Sequence, residues 1–228
     1  GGGWQSGGKK DYKIYAVQYP QRGYVVALIS YRFVQEAPLP ACIEDTKCAV
    51  RWMRANAAEL HVDPDRIAVI GGSAGGHLAL MAGYSSDVPE LEGQGGHAGV
   101  SSAVAAVVDL YGPTNFTLPE VRDHPVLLNG FKKRYDEAPD LYRLASPITH
   151  VDAKDPPTLV IQGTIDTIVP TSQSDLLVEQ LRSLGVPHYY ARLDGWPHTL
   201  DIFPEVNVYV QRLMDSFFTE VLAEKPAS

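Results

Sequence analysis

Three side chains in this sequence form a chemically coherent set: a serine set among glycines, a carboxylate on a later loop and a histidine on a loop after that. Ser73 lies in Gly71-Gly72-Ser73-Ala74-Gly75, a G-x-S-x-G pattern. The apolar run 67–70 leads directly into it, and the Ala/Leu-rich segment 74–84 follows. A serine on a tight turn between strand and helix projects its hydroxyl out of the sheet, and its glycine neighbours leave room where a Cβ would collide. The helix N-terminus behind it favours developing negative charge. The pattern alone recurs by chance, with an ordinary serine in a glycine-rich turn as the alternative; the strand before and the helix after make it specific.

An activated serine needs a histidine to take its proton, and that histidine needs a carboxylate to orient it. With a serine on this kind of turn the expected order is Ser, Asp/Glu, His. The run 158–162 is followed by Gly163-Thr164-Ile165-Asp166, and the run 188–193 by Gly195-Trp196-Pro197-His198. Asp166 and His198 therefore fall on loops at strand carboxyl ends, the same side as Ser73. Asp109, closing the run 103–110, is the rival acid. Asp194 and Asp201 flank the histidine loop, and Asp201 reads as a first-turn or N-cap residue of the last helix. His77, four residues after Ser73, points down the helix, where packing or bonding behind the turn is its expected role. His61, His97, His124, His150 and His188 read as solvated or core residues.

Acyl transfer also needs donors aimed at the tetrahedral oxyanion. The backbone N–H of Ala74 is one candidate. A glycine-rich loop is expected to supply the others, and Gly1-Gly2-Gly3-Trp4 offers Gly2 and Gly3. Trp4 and Trp196 are candidates for lining a substrate pocket, with a core role as the alternative. No His-x-x-x-His or Cys-x-x-Cys spacing exists, so no metal site is expected. Cys42 and Cys48 read as small buried hydrophobes.

The elements that must hold these residues alternate. Strands are expected at 24–31, 67–70, 103–110, 158–162 and 188–193, and helices at 43–60, 74–84, 172–184 and 206–221. This alternation implies an α/β fold with a mostly parallel sheet covered by helices on both faces, and such sheets place their sites at strand carboxyl ends. Residues 112–155 are polar and rich in Pro and aromatics, and read as an excursion over the sheet edge, lid-like in character. The 228 residues carry a net charge of −8 and are 45% apolar and 20% charged. These values exclude an extended disordered chain and argue against nucleic-acid or anionic-membrane partners. The longest apolar runs, 25–29 and 103–108, fall far short of the roughly 20 residues of a membrane span. Two cysteines exclude a disulfide framework.

GGGWQSGGK, the stretch from Pro40 to Gly83 with its GGSAGG turn, YGPTNF, PPTLVIQGTIDTIVP and GWPHTLD together resemble the α/β-hydrolase superfamily. The branch they look most like is the bacterial feruloyl/acetyl-esterase-like group, related to the hormone-sensitive-lipase esterases. The resemblance covers essentially the whole chain as a single domain, 1–228. It implies a serine carboxylesterase with no cofactor, a triad of Ser73, Asp166 and His198, and oxyanion amides at Gly2, Gly3 and Ala74. The implied substrates are small acyl or aryl esters, of acetyl or feruloyl type, including esters on plant polysaccharide. A peptidase or arylformamidase of the same fold, and a non-catalytic binding protein on a hydrolase scaffold, are the alternatives.

Two departures accompany the resemblance. The family carries a His before the three glycines. Its first three strands are absent here, the third of which lies between the strands that correspond to 24–31 and 67–70. A partial, N-terminally truncated chain is therefore expected, with any secretory signal for a secreted or periplasmic location upstream of Gly1. Such a chain would pair 24–31 directly with 67–70, fold poorly, or borrow a strand from another chain.

Overall fold

A computed structural model describes residues 1–223. Its sheet has four parallel strands in sequence order: β1 (Ala68–Gly72), β2 (Ala106–Leu110), β3 (Thr158–Gly163) and β4 (His188–Leu193). The helices are α1 (Lys13–Gln18), α2 (Ala41–Ala55), α3 (Ala57–Leu60), α4 (Ala74–Tyr84), α5 (Pro125–Phe131), α6 (Pro139–Leu144), α7 (Thr171–Ser183) and α8 (Pro204–Val221). No helix among the described residues is long and apolar enough to cross a membrane.

The continuous apolar runs of β2 and β3 follow from burial of these two central strands on both faces. Along β2, Val107 packs with Leu80, Val160, Leu177 and Leu181 on one side, while Val108 and Leu110 pack with Ile161, Met214 and Phe217 on the other. Alternate side chains thus enter different cores, and polar residues such as Asp109 are few on these strands. Each such fully buried side chain contributes roughly 1.5–3 kcal/mol by leaving water. The excursion 112–155 builds a third core. Its Phe116, Phe131 and Tyr142 pack with Trp4, Leu78 and Met81, and the Phe131 and Tyr142 rings stack with centroids 4.0 Å apart. The ends of that excursion are tied down: Gln173 Oε1 accepts from Thr114 N–H at 2.8 Å, and Ser146 Oγ accepts from Phe116 N–H at 2.9 Å.

Three expectations are corrected. The segment 24–31 forms neither strand nor helix and joins no ladder. Residues 24–31 and 67–71 both line a groove of about 650 Å³, and Val25 and Ile29 are 49% and 38% exposed. β-branched composition suits a pleated surface but supplies no partner; a ladder also needs a second backbone about 4.8 Å away. The expected helix 43–60 is two helices, parted at Asn56, whose side-chain amide donates to the Trp52 carbonyl at 2.7 Å and competes with the helical pattern. Asp201 does not cap the last helix. Phe203 occupies the N-cap, and the Asp201 carboxylate is taken by the hydroxyls of Tyr15, at 3.0 Å, and Tyr111.

An unpaired segment and a central strand respond differently to truncation. Val25→Ala is expected to change unfolding free energy by less than about 0.5 kcal/mol, whereas Ile161→Ala costs about 2–5 kcal/mol. Urea denaturation of the two variants measures both, and a large loss at Val25 would mean that 24–31 is a ladder strand after all.

Candidate active site

The turn from β1 into α4 is the local structure on which the site is built. Ser73 has φ 57° and ψ −125°, a backbone conformation that costs a non-glycine residue of order 1–3 kcal/mol. Two bonds hold it: Ser73 N–H donates to the Leu110 carbonyl at 2.8 Å, and the Ser73 carbonyl accepts from His77 N–H at 3.0 Å. The turn is so tight that a Cβ on Gly71 would fall on the carbonyl of Gly75. That overlap is the physical reason for glycine at this position.

Asp166 and His198 come to this turn from the loops after β3 and β4. His198 Nε2 lies 2.9 Å from Ser73 Oγ, and Nδ1 lies 2.7 Å from Asp166 Oδ2. The Asp166 side chain is fully buried and that of His198 is 14% exposed. Asp166 Oδ1 accepts from the amides of Ile168 at 2.8 Å and Val169 at 2.9 Å, and Oδ2 accepts from Gln162 Nε2 at 3.0 Å. Burial by itself would raise the Asp166 pKa, but the hydrogen bonds from His198, Val169 and Ile168 outweigh it and hold the carboxyl below its ordinary range. An ionised carboxylate only accepts, so His198 Nδ1 carries the proton and Nε2 is left as the acceptor facing the serine hydroxyl. This arrangement can take a proton from Ser73 as its oxygen attacks an electrophile.

The rival acid is elsewhere. Asp109 is fully buried on β2, where its Oδ1 accepts from Gly112 N–H at 2.8 Å. Its Oδ2 has no partner among the described residues. Burial with so little compensation pushes its pKa up to about 8. Asp194 accepts from Thr164 Oγ1 at 3.0 Å, at the exposed side of the loop.

The remaining candidates are placed as follows. Ala74 opens α4, so its N–H has no carbonyl a turn earlier to bond. Gly2 and Gly3 begin a short 3₁₀ turn whose preceding residue, Gly1, abuts the carbonyl of Gly72, so this loop lies against the serine turn. Trp4 is 3% exposed and bonded to His77 instead of lying open to solvent. Trp196 is half-buried, with its ring centroid 5.4 Å from that of Phe203.

Two neighbours of the site escaped the reading by motif. Gln162 steadies Asp166, and Ser174 Oγ in turn donates to Gln162 Oε1 at 3.1 Å. A polar residue ending an otherwise apolar strand was its only signal. Tyr111 packs edge-on against the His198 ring, with centroids 4.8 Å apart. Its position just after β2 was visible, but its inward direction was not.

A parallel sheet carrying Ser73, Asp166 and His198 at its carboxyl ends defines an α/β-hydrolase. Within that class the chain belongs to the BD-FAE family, whose profile matches residues 1–181. It is 32% identical to the probable carboxylic ester hydrolase LipM of Mycobacterium tuberculosis over the whole chain, covering 54% of that protein. It spans about half the length of the curated relatives it matches. Among solved structures it is similar to the thermophilic esterase Est2 of Thermogutta terrifontis, at 28% identity and a TM-score of 0.85, covering 100% of this chain and 81% of that one. It is also similar to a truncated form of a carbohydrate esterase from gut microbiota, at 32% identity and a TM-score of 0.78, covering 86% and 74% of the two chains.

Asp109 makes the pH dependence of stability testable. Unfolded, this carboxyl ionises near 3.8; folded, it stays protonated up to about 8. Its contribution is fully present below pH 3.8 and is lost progressively as pH rises through 8. Asp109→Asn, which keeps a neutral acceptor for Gly112, is expected to flatten the decline of Tm between pH 5 and pH 8. Thermal melts across that range test it, and an unchanged slope would count against a protonated Asp109.

Proposed function

We propose that this chain is a serine carboxylic-ester hydrolase that works through an acyl-enzyme. The observation that carries this reading is the His198 imidazole bridging Ser73 Oγ at 2.9 Å and Asp166 Oδ2 at 2.7 Å. The esterases to which the chain is similar support it.

In this reading Ser73 Oγ attacks the ester carbonyl while His198 Nε2 takes its proton. The carbonyl oxygen becomes an oxyanion, met by the amides of Ala74, Gly2 and Gly3. Asp166 keeps Nδ1 protonated and stabilises the imidazolium. The tetrahedral intermediate collapses, the C–O bond to the alcohol breaks, and His198 returns its proton to the departing oxygen. Water then attacks the acyl-serine, with His198 as base again, and releases the acid and free Ser73. Every step is performed by side chains and backbone amides. The substrates that fit the resemblance are small acyl or aryl esters of acetyl or feruloyl type, including esters on plant polysaccharide. Trp196, beside the histidine, is the aromatic candidate for contacting the ester, whereas the buried Trp4 supports the loop beneath it.

Hydrolysis of p-nitrophenyl acetate, p-nitrophenyl butyrate and methyl ferulate by the purified chain tests this, beside Ser73→Ala and Asp166→Asn. Ser73→Ala is expected to abolish turnover, a loss of about 10⁴-fold or more in kcat. Asp166→Asn is expected to lower kcat about 10⁴-fold, because it permits the wrong imidazole tautomer. Hydrolysis that survives Ser73→Ala would refute the mechanism.

A further inference from the structure

Gly2, Gly3 and Trp4 form a run of three left-handed residues, with φ of 69°, 59° and 59°. Glycine adopts this region freely, whereas a residue with a Cβ is disfavoured there. Trp4 is therefore the position at which the loop must be held from outside. Its carbonyl accepts from Val34 N–H at 3.0 Å. Its indole Nε1–H donates to His77 Nδ1 at 3.1 Å in a fully buried contact.

The state of His77 is settled by its other nitrogen. Nε2 lies 2.8 Å from the Ala145 carbonyl. A carbonyl only accepts, so Nε2 carries the proton and Nδ1 presents a lone pair to Trp4. The ring is fully buried, and burial lowers its pKa to about 4, so it stays neutral at ordinary pH. Phe116 closes the group, with ring centroids 5.7 Å from Trp4 and 4.9 Å from His77.

His77 also occupies a telling place along α4, which opens with Ala74 immediately after Ser73. One turn of the same helix thus carries the serine, the Ala74 amide and, through His77, the loop that bears Gly2 and Gly3. Resting on the esterase reading above, we propose that His77 is a positioning residue of the oxyanion hole. It anchors Trp4 and thereby sets the Gly2 and Gly3 amides in register with Ser73 and the Ala74 amide. The donors on this loop act on the tetrahedral oxyanion more than on the ground-state carbonyl, so loosening them lowers kcat and leaves KM nearly unchanged.

The test uses the full chain and its His77→Leu, His77→Gln, Trp4→Phe and Trp4→Phe/His77→Leu variants, with p-nitrophenyl acetate as substrate and near-UV circular dichroism to confirm folding. His77→Leu and Trp4→Phe are each expected to lower kcat about 10- to 100-fold, with KM within about two-fold. The double variant is expected to be no slower than the slower single one by more than about two-fold, because both break the same contact. His77→Gln is expected to recover kcat to within about three-fold of the parent, since an amide offers an acceptor to Trp4 and a donor to Ala145. A second arm needs no turnover: hydrogen exchange of the Trp4 indole N–H, followed by NMR, is slow in the parent and becomes fast in His77→Leu. The proposal is overturned if folded His77→Leu keeps its kcat, if KM rises in step with the loss, if the two single losses multiply, or if the parent indole exchanges freely. Should His77→Leu not fold, Trp4→Phe carries the same kcat and KM comparison. A parent chain that hydrolyses no ester would instead sink the esterase reading, and the indole arm still decides whether the anchor exists.

Discussion

Everything at the site takes its position from the strained turn at Ser73. The serine holds a left-handed φ that its own side chain disfavours, between β1 and α4, with bonds to Leu110 and from His77 on either side. Because α4 is buried along almost its whole length and the Ser73 amide is tied to β2 through the Leu110 carbonyl, the turn has little freedom to relax. In the proposed mechanism the oxygen is thus held in place before an ester arrives, and His198 and the glycine loop need only reach a stationary point. Preorganisation of this kind is what a charge-developing reaction requires, since no reorganisation remains for the reacting step.

The contrast between Asp166 and Asp109 shows how the same side chain acquires opposite properties. Both carboxyls are buried near the carboxyl ends of neighbouring strands. Asp166 receives hydrogen bonds from His198, Gln162, Ile168 and Val169 and is held as an anion. Asp109 receives one, from Gly112, and burial drives it toward the neutral acid. An isolated charge in a dry interior is far too costly to keep, whereas one with several donors is not. Donor count, more than burial, decides which acid can orient an imidazole.

Much of this was legible in the residues. The glycines around Ser73 and the placement of Asp166 and His198 just after apolar runs located all three by local pattern, because a parallel sheet exposes its loops at one end. The segment 24–31 was misread for an equally local reason: a Val- and Ile-rich run shows what surface the chain would suit and carries no information about the backbone beside it. Asn56 interrupts what looked like one helix, since helical spacing of apolar residues continues across a break that a single side chain imposes. Asp201 has the type and position of a cap, yet buried tyrosine hydroxyls outbid the helix amides for its oxygens.

By itself the sequence determined the α/β layering and the serine turn, because both rest on hydrophobic periodicity and turn chemistry within a few residues; the expected order of serine, carboxylate and histidine rested on the hydrolase fold that the motifs resemble. Only the tertiary structure brought Ser73 and Asp166 within hydrogen-bond distance of one His198 ring, and turned Trp4 inward onto His77 instead of outward to a ligand. It also decided that His77 is a neutral ring protonated at Nε2. The reason is distance along the chain. The contacts that settle these choices join residues 32, 73 and 125 positions apart, and a local pattern holds no record of what the fold will bring alongside.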